Sequence, residues 1–482
     1  MQFSGRESTD ICSLSAVEMA AEIRQGHLSA TDAVLAHLRR IEAVNPKINA
    51  IIALDADAAL AAARAADLKQ ARGEALGPMH GLPVAHKDNQ AVAGMPTTHG
   101  SPLFANNIAT VDSIVVERQR KAGAITLGKT NLPEFAAGSH TFNSLFGLTR
   151  NPYDLTRSAG GSSGGAAAAL AAEMVALADG TDMGGSLRNP ASFCNVVGLR
   201  PSFGLIPVWP QSGAWSPLSV PGPMARTVQD AALFLGVLAG PDPRDPTSAN
   251  GEAFKAGSLE GGVRGLRVAY APTLGGLPVE EGVQTVVDAA VATLASLGCE
   301  VELNCPDLAR ADRMFHVLRA LSFETAYGDL VRKHPNDIKA AVRWNASQGA
   351  ALSATDIGHA LRTQVSLYQE MRAFLEDYDF LVAPVSQVAP FPGEQEYPTW
   401  IEGEAVATYI DWMKSCSRIT ATGHPAISLP CGFTAEGLPV GIQIVGRFHG
   451  ERDLLRLAYA LESSLGARKR PSINQAGPGL DN

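Results

Sequence analysis

Two glycine-rich turns each carry a serine. The first reads Ser158-Ala159-Gly160-Gly161-Ser162-Ser163-Gly164-Gly165; after one helical stretch comes the second, Gly180-Thr181-Asp182-Met183-Gly184-Gly185-Ser186-Leu187-Arg188-Asn189-Pro190. Taken singly, each cluster reads as a tight turn. Taken as chemistry, such turns offer two uses. Backbone N–H groups at a helix N-terminus can hold phosphate, yet neither turn ends in Gly-Lys-Ser/Thr or carries a dinucleotide fingerprint with its acidic partner. The other use is a serine nucleophile, whose hydroxyl attacks poorly until a base takes its proton. Neither turn contains a histidine. His80, His99, His140 and His424 fall in loops without an acid at a recognisable spacing, which argues against a Ser-His-Asp triad.

The elements around these turns follow from hydrophobic spacing. Val17, Met19 and Ile23, then Val34, Leu35, Leu38 and Ile41, recur at three and four residues and predict two amphipathic helices, with Gly26 ending the first and Ser29 capping the second. Asp55 to Arg72 reads as a third helix. Leu82 to Ala85 is a short apolar run that breaks at Lys87-Asp88-Asn89, the form of a strand delivering polar side chains at its end. Helical and strand patterns then alternate: helix over 113–122, strand over 124–127, helix over 166–173, strand over 174–178, strand over 266–270, helix over 284–297 and strand over 301–303. Residues 309–376 read as mainly helical. Strands return at 380–383, 426–429 and 440–445, and a helix covers 452–465. This alternation predicts an α/β protein with a mixed or parallel sheet flanked by helices.

With a lysine upstream, the two turns resemble the amidase signature family. The likeness is carried by GGSSGG, by GTDMGGSLRNPA at the family's spacing, and by the lysine of GLPVAHKDN. It continues through GKTNLPEF, LFGLTRNPYD, VVGLRPSFGLIP and LPVGIQIVGR, so it spans nearly the whole chain. The resemblance implies one α/β/α domain over residues 1–482 around a large twisted mixed sheet; the residue pattern, with no Gly- or Pro-rich linker around 309–376 and a polar segment after Arg468, makes 309–376 a helical elaboration within it and 469–482 a flexible tail. The resemblance also implies a Ser-cisSer-Lys triad: Ser186 the nucleophile, Ser162 the bridging serine after a cis peptide bond, and Lys87 the base. By the same matching, the amides of Met183, Gly184, Gly185 and Ser186 hold the oxyanion, and Ser163, Asp182 and Arg188 support the site. Ala136, Gly138 and Ser139 line the substrate pocket. The physics is compatible, because lysine serves as a base when neutral and burial disfavours its charged form. A serine hydroxyl accepts and donates at once, so Ser162 can pass a proton.

The implied reaction is hydrolysis of a carboxylic amide through an acyl-enzyme, with carbamate or ester hydrolysis by the same triad as the alternative. Fatty acid amide hydrolase and the A subunit of the tRNA-dependent amidotransferase are related classes. In the latter class the segment after the signature resembles AFASSLDQIGP; here it is Trp215-Ser216-Pro217-Leu218-Ser219-Val220-Pro221-Gly222-Pro223, and Asn189 replaces a common glutamine. Those departures favour a free-standing amidase. The small Ala136 implies room for a bulky acyl or aryl group, and Trp209, Trp215, Trp400, Tyr409 and Trp412 are candidates for an apolar entrance. His86 stands where members usually carry an aliphatic residue. Adjacent side chains of an extended segment point to opposite faces, so His86 is expected to face away from Ser162.

Composition narrows the partners. The 482 residues hold 39 basic and 48 acidic side chains, a net charge of −9, with no run of Lys or Arg to track a phosphate backbone. Nucleic acid is therefore not an expected ligand. The start MQFSGRESTDICSLS lacks a positive segment followed by an apolar one, and no stretch reaches the ~20 apolar residues of a membrane span; a cytoplasmic location is expected. Cys12, Cys194, Cys299, Cys305, Cys416 and Cys431 are scattered singly, so neither zinc nor a disulfide framework is signalled. No metal or organic cofactor is implied. The expected partner is a small-molecule amide, and a homodimer is left open.

Overall fold

In a computed structural model that describes residues 8–210, 215–249, 254, 257–466 and 468–474, one sheet of eleven strands runs through the molecule. In chain order these are β1 (Ile51–Leu54), β2 (Pro83–Lys87), β3 (Ile125–Thr130), β4 (Leu177–Asp182), β5 (Val197–Arg200), β6 (Val220–Ala225), β7 (Arg267–Tyr270), β8 (Glu300–Leu303), β9 (Phe380–Pro384), β10 (Ala426–Phe433) and β11 (Pro439–Val445). Their spatial order is β1-β3-β2-β4-β6-β5-β10-β11-β9-β7-β8. Parallel pairing joins β2 to β3 and β4, and β7 to β8 and β9. The remaining pairs are antiparallel. The sheet is mixed and flanked by helices, as an α/β protein requires.

Period-two alternation sorts the strand residues between two apolar layers. Phe380 and Val382 of β9 join the layer built with helices Val228–Leu238, Glu281–Ser296 and Glu451–Leu465. Leu381 and Ala383 face the opposite layer, with helices Ala309–Lys333, Ala354–Asp377 and Lys414–Thr422. A third apolar cluster beside β3 and β4 packs helix Ala30–Ile48 against helix Gly164–Ala171, every residue of which is buried. With only Gly, Ala and Leu in that helix, it can lie close against its neighbours.

The expected helix ends are where local chemistry puts them. Ser15 and Glu18 form a capping box on Ala16–Gln25, which stops at Gly26 with φ of 76°. The Ser29 side chain accepts from the Asp32 amide at the start of Ala30–Ile48. One reading needs correction: the strand expected from Met174 begins only at Leu177. The Val220-Pro221-Gly222-Pro223-Met224-Ala225 run, for which the hydrophobic spacing gives no element, is β6 at the sheet centre. Two prolines are tolerated there because β5 pairs with β6 only at Met224 and Ala225. Of the terminal segment expected to be flexible, residues 469–474 lie against the body. The Lys469 carbonyl accepts from Tyr153 and Asn195, and the Asn474 amide donates to the Ala171 carbonyl. Residues 475–482 lie outside the described residues. Among the described residues, no helix is long and apolar enough to cross a membrane.

Candidate active site

β2 and β4 lie side by side and run in parallel. Lys87, last in β2, and Thr181 and Asp182, last in β4, therefore emerge at one edge of the sheet, the carboxyl ends of parallel strands where α/β proteins build their sites. The serine turn ahead of helix Gly164–Ala171 closes over this edge. Its Ser163 amide donates to the Ser186 carbonyl at 3.2 Å, tying the two glycine-rich turns together. The Gly161–Ser162 peptide bond is cis.

The Lys87 side chain is wholly buried, and its Nζ contacts three hydroxyls. Ser162 Oγ lies at 2.7 Å, Ser163 Oγ at 2.9 Å and Thr181 Oγ1 at 2.9 Å. Burial pushes the ammonium down from 10.5 to about 7, against the opposing pull of Asp182 and Asp179. An amine poised there exists in both states near neutrality. Ser163 directs its own hydrogen toward the Thr181 carbonyl at 3.4 Å and so receives from Nζ. That leaves Ser162 and Thr181 as the hydroxyls able to donate to a neutral amine, and Ser162 is the nearer of the two. Thr181 is a site residue that pattern reading missed; the only signal for it is its place just before Asp182 at a strand end.

Ser186 borders the same cavity as Ser162 and Thr181. Among the described residues its hydroxyl has no hydrogen-bond partner, so its lone pairs are uncommitted. The amides of Met183, Gly184 and Ser186 likewise donate to nothing among the described residues. The Gly185 amide differs, since it donates to Asp182 Oδ1 at 2.9 Å. Of the four expected oxyanion donors, three are free and one is already engaged.

Asp182 clamps the second turn. Its carboxylate accepts from the amides of Gly185 and Leu187 and from Arg188 Nε and Nη2, both at 3.0 Å, with Arg200 Nη1 at 3.4 Å. Burial alone would raise its pKa; Arg188 and Arg200 outweigh that and hold the carboxyl well below the ordinary range. Arg188 in turn donates to the Cys416 carbonyl and to Thr420 Oγ1 on helix Lys414–Thr422. Gly185 has φ of 110°, and a Cβ there would fall 2.5 Å from the Cys416 side chain, so only glycine fits between them.

His86 turns to other partners than Lys87 does. Its Nδ1 lies 2.6 Å from Asp179 Oδ2 and its Nε2 3.0 Å from Thr126 Oγ1. Asp179 also accepts the Lys87 backbone amide at 3.0 Å, which fixes the end of β2.

The cavity has a volume of about 950 Å³. Its wall includes Ala136 but neither Gly138 nor Ser139. Ser139 is buried behind it, with Oγ contacting Met413 Sδ and accepting from Asn189. Trp209 and Trp215 belong to the wall, Trp215 being largely exposed. The other aromatic residues proposed for the entrance do not: Trp412 and Tyr409 are packed in the core, and Trp400 lies in a separate surface groove. Sequence spacing could not distinguish an aromatic that covers a core from one that borders a cavity. Among the described residues, no cluster of three or more His, Cys, Asp or Glu could hold a metal.

A family model for amidases matches residues 32–455. The chain belongs to the amidase family, of the amidase signature type, and is an amide-hydrolysing enzyme. It is 39% identical to an acylamidase of Rhodococcus erythropolis over 93% of this chain and 95% of that one. It is 38% identical to the A subunit of the glutamyl-tRNA(Gln) amidotransferase of Acidothermus cellulolyticus, over 97% and 99%. Its fold is similar to the crystal structure of a bacterial aryl acylamidase, with a TM-score of 0.91, 29% identity and coverage of 96% and 99%.

Proposed function

We propose that this enzyme cleaves a carboxylic amide with a bulky or aryl portion through an acyl-enzyme on Ser186, with Lys87 as base and Ser162 as relay. The observation that carries the reading is the buried Lys87 amine, pushed down to about 7 by burial and 2.7 Å from Ser162 Oγ, at a cavity that Ser186 also borders with a hydroxyl that has no hydrogen-bond partner among the described residues. Ser186 Oγ attacks the carbonyl carbon, its proton passes to Ser162, and the Ser162 proton passes to Lys87 Nζ. The negative oxygen rests on the free amides of Met183, Gly184 and Ser186. Protonated Lys87 returns a proton through Ser162 to the departing nitrogen as the C–N bond breaks. Water then attacks the ester carbon, the same groups taking its proton and restoring it to Ser186.

A free-standing amidase is favoured over a component of an amidotransferase. The 215–223 segment that departs from the amidotransferase pattern supplies Trp215, Pro217, Leu218 and Ser219 to the cavity wall, so the departure falls where substrate is selected. A screen of anilides, aliphatic amides, amino-acid amides, carbamates and esters, read as kcat/KM, tests this. Anilides or other bulky amides should lead. Preference for carbamates or esters would shift the substrate class. Covalent fluorophosphonate labelling should fall on Ser186 and vanish in Ser186→Ala; an adduct elsewhere would overturn the nucleophile.

A further inference from the structure

Helix Ala309–Lys333 places one charged side chain on the cavity wall. Arg319 is 3% exposed and is the only Asp, Glu, Lys or Arg among the described residues that border the cavity. Its guanidinium lies over Phe323, 4.6 Å from the ring centre. Among the described residues, Nη2 donates to the Tyr409 hydroxyl at 2.8 Å, Nη1 meets only the Met183 sulfur at 3.2 Å, a weak acceptor, and Nε has no partner. Five N–H donors are thus matched by one hydroxyl and one thioether. No carboxylate pairs with this group among the described residues. The segment 211–214, outside the described residues and adjoining the cavity-lining Pro210 and Trp215, reads Gln-Ser-Gly-Ala and brings no acid. The buried Arg188 and Arg200 differ, since both face Asp182.

A guanidinium removed from water needs a counter-charge, and the space left open to this one is the cavity. Its planar fork of donors matches a carboxylate. Arg319 touches Met183, in the loop that leads to Ser186, and all three residues border the same cavity, so a substrate acylating Ser186 shares that space with the charge. We infer that the substrate is an amide bearing a carboxylate close to its scissile bond, with Arg319 as the residue that selects it. This rests on the reaction proposed above. The carboxylate can belong to the acyl part, as in the half-amide of a dicarboxylic acid, or to the amine part, as in an N-acylated amino or aminoaryl acid.

Two matched pairs separate these sources: glutaryl 4-nitroanilide against pentanoyl 4-nitroanilide, and 4-acetamidobenzoate against 4-acetamidotoluene. In at least one pair the charged member should have a kcat/KM at least about 10-fold higher, mainly through KM, as for hydrogen bonds to a charged group. Arg319→Met should bring that ratio to about one, and Arg319→Lys should restore part of it. A measurement on the unaltered enzyme needs no turnover: benzoate, and not benzyl alcohol, should slow fluorophosphonate labelling of Ser186. Equal or better turnover of the neutral member in both pairs, a preference that survives Arg319→Met, or protection by neither or both ligands would overturn the inference. If no amide is cleaved and Ser186 is not labelled, the reaction proposed above fails instead.

Discussion

The pH dependence of acylation tests the role of Lys87 most directly. The perturbation is pH itself, with Lys87→Met as the control. An amine with the ordinary pKa of 10.5 would be neutral in about 1 molecule in 3,000 at pH 7, whereas one held near 7 is neutral in about half. The buried setting therefore raises the working fraction of base about a thousandfold at neutrality. The second-order rate of fluorophosphonate labelling reports acylation without knowledge of the substrate. It should rise with a slope of one per pH unit below about 7, pass from about 1% of its plateau at pH 5 to about half at pH 7, and stay level to pH 9. Lys87→Met should lower the plateau by three orders of magnitude or more and remove the inflection. A rate still climbing through pH 9 toward an ordinary lysine ionisation, a flat profile from pH 5 to 9, or an unchanged inflection in Lys87→Met would refute the assignment of the base.

The same ionisation makes a prediction about stability. Between about 7 and 10.5 the unfolded chain binds the Lys87 proton and the folded one does not, so stability rises with pH across that window. The full cost, about 5 kcal/mol, is present below pH 7 and gone above 10.5; Lys87→Met should therefore gain stability at pH 6 by urea denaturation, with the gain shrinking toward pH 10, and a gain independent of pH would contradict this. Gly180→Ala would put a Cβ 2.6 Å from Ser163 Oγ, displacing a partner of Lys87, so the labelling rate should fall about 100-fold in a protein whose circular dichroism is unchanged; a rate within threefold of the parent would show that Ser163 does not set the lysine. Asp182→Asn should cost about 3 to 5 kcal/mol in urea unfolding, because Arg188 and Arg200 would be left buried without their counter-charge; a loss under 1 kcal/mol would mean that the clamp is not electrostatic.

Local signals carry much of this architecture. Gly26 and Ser29 mark helix ends through caps that act within a few residues, and the apolar runs at 82–85 and 440–445 announce buried strands. β6 is hidden because its prolines are tolerated only by the absence of a neighbour on one side, a fact of sheet order rather than of sequence. In the site, Lys87, Ser162 and Ser186 stand out because paired glycine-rich turns with a lysine at a strand end are rare in combination. Thr181 does not, since a threonine on a strand is ordinary until its register against β2 is known. Arg319 is equally silent: in a helix that also carries Arg310, Arg313 and Arg332, nothing marks one arginine as enclosed while its neighbours meet solvent.

The lysine and hydroxyls proposed to react, with the Asp182–Arg188 pair that shapes their loop, come from residues 87–188, while helix Ala309–Lys333 supplies a large share of the cavity wall. This is a division of labour along the chain. Rewriting the cavity-lining positions Ser322, Phe323, Thr325, Ala326 and Tyr327, while keeping Phe315 and Arg319 that touch the Met183–Gly184 loop, would redirect which molecules are admitted, so a small library confined to those positions is the economical route to new selectivity on this scaffold.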